Sequence, residues 1–466
     1  MSRIPPSALR EAVLDTGSFA SWDSSDAESV LTGEGRVHGR RVAVIASDFD
    51  FQAGSIGVAA AERITAAVER ATAERLPLLA SPSSGGTRMQ EGTVAFLQMV
   101  KIAAAVELHK RAHLPYLVYL RHPTTGGVFA SWGSLGHVTI AEPGALIGFL
   151  GPRVYEHLYG EPFPSGVQTA ENLQHHGVID GVVPLKWLRR TVERALKVIV
   201  DAPSAPPAAV PPEPLPDVPA WDSVVASRRR DRPGVGHLLR HGATERVLLS
   251  GTGHRDAATM VLALARFRGQ PAVILGQRRA ANVGPAALRE ARRGMALAAG
   301  LQLPLVLVID TAGPALSAEA EEQGLASEIA RCLADLVTLP TPTVSVLMGQ
   351  GSGGPALAMV PADRVLAALH GWLAPLPPEG ASAIVYRDTL HAPELAAAQG
   401  IRSADLLATG IVDAIVPEHP DAADEPIEFT KRLSTAIAGE VSALRAAPTE
   451  GRYTARLTRY RRIGLA

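Results

Sequence analysis

Residues 341–354 read TPTVSVLMGQGSGG, and residues 114–127 read LPYLVYLRHPTTGG. Each enters by a proline, runs through β-branched and large apolar residues, and ends on two glycines. An apolar run bounded in this way reads as a buried strand leading into a tight turn. A second such element lies upstream of each, LPLVLVIDTAG (303–313) and LPLLASPSSGG (76–86). The spacing agrees, since 354 − 313 and 127 − 86 both give 41. Downstream, GVIDGVVP (177–184) answers GIVDAIVP (410–417), each after a short helix-like stretch, AENLQHH or SADLLAT. Order, spacing and three paired elements together indicate an internal duplication.

Each copy alternates short strands with helical stretches, such as GSIGVAAAERITAAVERATAER (54–75) and GPAALREARRGMALAAG (284–300). That alternation predicts an α/β fold. In such folds ligands bind where strands end and the following helices begin. All four glycine turns fall at that kind of junction. Between the copies, PSAPPAAVPPEPLPDVP (203–219) carries eight prolines and no apolar period. It reads as an extended, semi-rigid spacer. The expected organisation is a domain over 1–202, a linker over 203–220 and a second domain over 221–466.

Bulk properties restrict the function classes. The chain of 466 residues is 47% hydrophobic and 20% charged, as in ordinary globular proteins. A formal net charge of −1 gives no general attraction to nucleic acid. The one cysteine, Cys332, excludes an intramolecular disulfide framework and a cysteine-built zinc site. The N-terminal MSRIPPSALREAVLD has no apolar signal-peptide core, and no stretch approaches the roughly 18 apolar residues of a membrane helix. The expectation is a soluble, cytoplasmic chain without a membrane segment or metal.

Three chemistries compete for MGQGSGGPALAM (348–359). A phosphate loop of the GxxxxGK[ST] kind requires a lysine that is absent. A serine nucleophile in a GxSxG elbow fails on spacing, because Ser352 lies in GQGSG. Close strand-to-helix packing alone would also use glycines. Matched glycine turns in two copies favour a third role, backbone N–H groups at helix starts collected around an oxyanion.

Several longer strings carry a family resemblance. SSGGTRMQEGTVAFLQMVKIAAAV (83–106), PTTGGVFASW (123–132) and AEPGALIGFLGPRV (141–154) resemble the β subunit of bacterial acetyl-CoA carboxylase carboxyltransferase. IDTAG (309–313), GQGSGGPALAM, PADRVL (361–366), PPEGASAIVYRD (377–388) and RYRRIG (459–464) resemble its α subunit. The chain is thus similar to a fused β-type and α-type pair. The resemblance implies two crotonase-like domains of the ClpP/crotonase superfamily, built as ββα spirals. It implies transfer of a carboxyl group from carboxybiotin to the α-carbon of acetyl-CoA or another acyl-CoA, giving malonyl-CoA or an analogue, as in fatty acid biosynthesis. Gly85, Gly86, Gly126 and Gly127 would face the acyl thioester, and Ala312, Gly313, Gly353 and Gly354 the biotin. Arg88 would order its loop, join a salt bridge or meet a CoA phosphate. No Met-Lys-Met attachment sequence occurs, so biotin would arrive on a carrier protein charged by a biotin carboxylase. The family builds its site from a β-type and an α-type half, often of different subunits, which implies a homo-oligomer.

Departures from the family qualify this. The four-cysteine zinc ribbon of the β subunit is missing, and TPGAYPG of the α subunit stands here as TAGPALS (311–317). Pro355 takes the place of an alanine and has no N–H to donate. An impaired paralogue serving assembly, and a decarboxylase of malonyl thioesters, are the alternatives. The basic run SRRRDR (227–232) reads as a solvated turn or a CoA-phosphate site, and Glu379 in PPEG as structural.

Overall fold

The computed structural model describes residues 3–23, 28–205, 207–208, 213–249, 259–279 and 282–465. The chain divides into two compact units with the boundary between Val200 and Asp201, the segment from Leu249 being grouped with the first.

In the first unit the strands are β1 (Ala20–Ser21), β2 (Val30–Val37), β3 (Arg40–Ser47), β4 (Leu78–Ser81), β5 (Tyr116–Leu120), β6 (Thr124–Thr125), β7 (Val138–Ala141), β8 (Ile147–Gly148) and β9 (Gly181–Val182). Seven form one sheet in the order β1-β2-β3-β4-β5-β7-β9, and β6 pairs β8. The β2–β3 hairpin is antiparallel, and every pairing from β3 onward is parallel. Its two-residue turn, His38–Gly39, has positive φ at both positions (47° and 79°). That is the primed turn whose twist suits a hairpin. The helix Val58–Ala73 then buries Ala60, Ile64, Ala67, Val68 and Ala71 against the sheet, an apolar stripe of helical period.

The second unit repeats this plan. Its strands are β10 (Ala243–Leu249), β11 (Met260–Phe267), β12 (Gln270–Gln277), β13 (Leu305–Thr311), β14 (Thr343–Ser352), β15 (Arg364–Ala368), β16 (Trp372–Ala374) and β17 (Ala414–Val416). The order is β10-β11-β12-β13-β14-β15-β17, with β16 on the far end of β14. The hairpin turn recurs as Arg268–Gly269, again with positive φ (49° and 81°). Proline opens the helix Pro285–Leu301 at a position whose N–H has no helical partner to lose. The duplication read from the strings is therefore a duplication of topology. One refinement follows: the sheets are mixed, with antiparallel hairpins feeding the parallel strands.

Within the Pro-rich stretch, residues 206 and 209–212 lie outside the described residues. Its described parts carry neither helix nor strand and make contacts with the second unit. Ser204 N–H donates to Gly269 O (3.3 Å) and Gln270 Nε2 to Ser204 O (2.7 Å). Asp217 pairs with Arg402, and Glu213 contacts His419. The stretch is seated on the second unit. Cys332 is fully buried, its Sγ donating to Leu288 O (3.4 Å), and burial pushes its thiol up to about 12.

Candidate functional site

The expected site residues gather in two places, one per unit. In the first, β4 runs out into Ser84–Gly85–Gly86, and β6 into a short helix, Gly126–Phe129. The two turns are stitched together by main chain: Ser84 N–H donates to Pro123 O (2.7 Å) and Thr125 N–H to Ser84 O (3.0 Å). Gly86 and Gly126 have φ of 109° and 61°, which L side chains rarely adopt. A Cβ on Gly86 would lie 3.6 Å from Gly126 Cα and 3.7 Å from Gly127 N. Glycine here lets two backbones face each other closely.

The second unit holds the same device. Gly313 and Gly353 have φ of 138° and 70°, and 313 − 86 and 353 − 126 both give 227. A hydroxyl braces each first turn. Ser84 Oγ accepts from Gly86 N–H (3.0 Å), and Thr311 Oγ1 accepts from Gly313 N–H (3.1 Å). Ser and Thr at that place could have been paired in the sequence only after the alignment of the copies was known.

Not every expected N–H is available. Gly85 N–H is taken by Ala53 O (3.0 Å), Gly86 N–H by Ser84 Oγ, and Gly126 N–H by Phe149 O (3.1 Å). The donor that remains on the first turn belongs to a residue absent from the sequence expectation, Thr87. Its neighbours bond Ile56 on one side, through Gly86 O (2.9 Å) and Arg88 N–H (2.9 Å). Successive amides of an extended chain alternate, so the Thr87 N–H points away from Ile56, and Thr87 lies beside Gly127, its Oγ1 3.4 Å from a Cβ placed there. Gly127, second residue of its helix, has an N–H with no intrahelical acceptor. Thr87 and Gly127 are thus the candidate donor pair of this unit.

In the second unit the position matching Thr87 is Pro314. The same bridge forms around it, Val283 N–H to Gly313 O (3.1 Å) and Ala315 N–H to Val283 O (3.0 Å). Where the first unit presents an N–H, the second presents the ring: Pro314 Cδ lies 3.2 Å from a Cβ placed on Gly353. Pro355 removes a further N–H one residue after Gly354. The Gly354 N–H, at the second position of the helix Gly353–Leu357, is the donor left between two prolines. Ser352 Oγ is fully buried and has no hydrogen-bond partner among the described residues. With neither a base beside it nor access to solvent, it is no nucleophile.

Two other expectations are corrected. Arg88 is buried and spends its guanidinium on Glu28, Glu91, Ser29 Oγ and Ser55. The hydrogen bond to Glu28 is the main reason its pKa is raised. It orders the loop and is not free for a CoA phosphate. The run 227–232 is neither solvated nor a phosphate site as a whole. Arg232 is completely buried against Glu418 (2.6 Å) and Asp421 (3.0 Å), and Arg229 joins Asp231, Asp421 and Asp424. Arg228 pairs with Glu379 and donates to Gln350 Oε1 (3.2 Å), which gives Glu379 its structural part. Burial works against ionising Glu418, but the hydrogen bonds and charge of Arg232 win and hold its carboxyl low. The tail is likewise a clasp: Arg456 is fully buried on Asp363 and on the carbonyls of Leu336, Leu339 and Thr341.

The residues Asp310 and Gln277, unmarked in the sequence, lie directly behind the second glycine turns. Asp310 Oδ1 accepts from Gln350 N–H (3.1 Å), and Arg279 Nε stands 3.1 Å from Oδ2 without hydrogen-bond alignment. Burial raises the Asp310 carboxyl to about 6, against the opposing charges of Arg279 and Arg232.

Comparison with known proteins decides the family. The profile described as the carboxyl transferase domain matches residues 11–453. The chain belongs to the carboxyl transferase domain family. A Mycobacterium tuberculosis (strain ATCC 25618 / H37Rv) protein named as a probable biotin-dependent acyl-coenzyme A carboxylase beta3 subunit is 74% identical, over 100% of this chain and 99% of its own length. The acetyl-coenzyme A carboxylase carboxyl transferase subunits beta/alpha of Salinispora arenicola (strain CNS-205) are 38% identical, covering 94% of this chain and 82% of that protein. Among solved structures, transcarboxylase 12S in a hexamer assembly, with methylmalonyl-coenzyme A and methylmalonic acid bound, superposes with a TM-score of 0.78. It is 21% identical and covers 96% of this chain and 91% of that one. At that identity it shows the fold, the crotonase-like arrangement of carboxyl transferase domains. No described helix is long and apolar enough to cross a membrane, and no group of His, Cys, Asp or Glu among the described residues could hold a metal ion.

Proposed function

We propose that this chain is the carboxyltransferase subunit of a biotin-dependent acyl-CoA carboxylase, acting on acetyl-CoA or a related acyl-CoA to give malonyl-CoA or its analogue. The observation that carries the reading is the repeated pair of hydroxyl-braced glycine turns, each presenting helix-start N–H groups, in a chain of this family. Biotin, brought on its carrier, would supply the carboxyl group and take up the proton lost from the acyl α-carbon. The chain's own residues then have two tasks. Thr87 N–H and Gly127 N–H stabilise the thioester oxygen as charge builds on it. Gly354 N–H, backed by Gly313 and Ala312, faces the ureido oxygen. Each such donor is worth about 3 kcal/mol of barrier. The second turns fit biotin with one main-chain donor, since Gly353 and Gly354 stay partly open while Pro314 and Pro355 offer none.

The reading also assigns a separate biotin carboxylase and carrier as partners, a homo-oligomer, and a cytoplasmic setting without nucleic acid or membrane. The test is the purified chain with carboxybiotinylated carrier and a panel of acetyl-, propionyl- and longer acyl-CoA. Carboxylated thioester is expected; no product from any member, with a carrier verified as charged, overturns the reading. A second reading, an impaired paralogue that serves assembly, is favoured by the two prolines. It predicts that the chain copurifies with an active carboxylase yet transfers nothing itself.

A further inference from the structure

The second unit ties its glycine turns together through one long amide side chain, where the first uses main chain and short hydroxyls. Gln277, the last residue of β12, is completely buried. Its Oε1 accepts from Asp310 N–H (3.2 Å), at the entrance to the Thr311–Gly313 turn. Its Nε2 donates to Pro355 O (2.8 Å), in the helix that starts with Gly353 and Gly354. That carbonyl is passed over by the helix itself, because Ala358 N–H goes to Gly354 O (2.8 Å) and Met359 N–H to Ala356 O (3.0 Å). One amide side chain therefore spans the two turns and satisfies a buried group on each.

The first unit joins its turns differently, with Thr124 Oγ1 donating to Pro82 O (3.1 Å) and Ser83 Oγ to His122 O (3.0 Å). By hairpin register Gln277 corresponds to Ser47, because Gln270 and Arg40 open the matched strands β12 and β3. The Ser47 hydroxyl is too short to span the turns and has no hydrogen-bond partner among the described residues. The carbonyl matching Pro355 O is that of Val128, which accepts from Ser131 N–H (3.4 Å) close by in sequence. Asp310 reinforces the clamp from behind, with its carboxylate on Gln350 N–H in the strand that leads to Gly353.

We propose that Gln277 is a positioning residue that fixes the distance between the second unit's glycine turns and so aims the Gly354 N–H at biotin. The inference rests on the functional reading above and adds to it a residue that is completely buried behind the turns. With Pro314 and Pro355 in place, the site depends on the alignment of one remaining donor. A misplacement of about 1 Å can cost on the order of 10²-fold in rate.

The experiment compares wild type with Gln277→Ala and with Gln277→Met, which keeps the volume but makes neither hydrogen bond. Turnover is measured with the charged carrier at varied acyl-CoA, and binding of biotin methyl ester is measured separately by ligand-observed NMR. Both variants are expected to lose between about 10- and 100-fold in kcat, to keep KM for acyl-CoA within about twofold, and to lose the ester signal. Ser47→Ala, the matched change in the first unit, is expected to alter neither readout. Wild-type turnover and binding retained in Gln277→Met, with unchanged melting, overturn the inference. An equal rise in both substrates' KM overturns it too, since that marks general loosening. If wild type binds the ester but transfers nothing, loss of binding in the variants still supports Gln277 while the functional reading fails. Absence of ester binding by wild type overturns the inference.

Discussion

The two pairs of glycine turns share backbone and differ in hydrogen-bond supply. Positive φ falls on Gly86 and Gly126 in one, and on Gly313 and Gly353 in the other. A hydroxyl two residues before each first glycine pair's end braces the turn in both. Yet Thr87 and Val128 carry an N–H where Pro314 and Pro355 carry none. Shape was retained in both copies while donor number was not. A turn's geometry and its chemistry are therefore separable, and the second unit has kept the former with a reduced form of the latter. The direction of the difference fits the proposed division of labour. In that proposal two donors serve the acyl oxygen and one serves the ureido oxygen.

The sharpest way to break this comparison is to copy one side into the other. Thr87→Pro gives the first unit the residue of the second, and the fold accepts it there, since Gly313–Pro314 adopts the same bridge. If the Thr87 N–H is an oxyanion donor, kcat falls by about 10²–10³ with little change in melting. A loss of less than threefold in a folded variant would assign the N–H no part in the chemistry.

Two buried histidines of the first unit and a buried aspartate of the second respond oppositely to protons. In the first, burial depresses His109 to about 4 and His137 to about 3. Both are neutral when folded, so their contribution is present above the ordinary histidine pKa of about 6.5 and is lost as pH falls through those lower values. Residue 336, which matches His109, is a buried leucine. His109→Leu should flatten the fall in urea midpoint between about pH 6.5 and pH 4, by at most about 3 kcal/mol. For Asp310 in the second unit the sign is opposite. Asp310, raised by burial to about 6, favours the folded state while protonated, so its contribution declines as pH rises from about 3.8 through 6. Asp310→Asn should remove that decline, and an unaltered pH profile would show the carboxyl is charged throughout. The smallest effect expected is Pro355→Ala, which returns one N–H beside Gly354. Turnover should rise about tenfold or less, with acyl-CoA KM unchanged; no change would mean position 355 never aims at substrate.

Much of this was legible in the sequence because strands and glycine turns are local signals. The interval of 41 residues and the paired GVIDGVVP and GIVDAIVP strings follow from repeated topology, and the fold repeats with them. The glycines of the candidate site, Gly126, Gly127, Gly353 and Gly354, were visible for the same reason. What escaped were partners brought together from distant parts of the chain. Gln277 reads as an ordinary strand end until Pro355 O is seen 2.8 Å away. Arg232 reads as surface until Glu418 and Asp421 close over it. Thr87 was hidden by its glycine neighbours, whose flexibility drew attention while their own N–H groups were already taken.

The burial of Cys332 has a practical consequence. Its thiol, sealed in the second unit and pushed up to about 12, stays protonated and inert at neutral pH. A cysteine introduced on the surface, for instance at exposed Leu316 or Phe96, would then react alone with a maleimide dye. The natural chain thus comes ready for site-specific fluorescence, with no background thiol to remove.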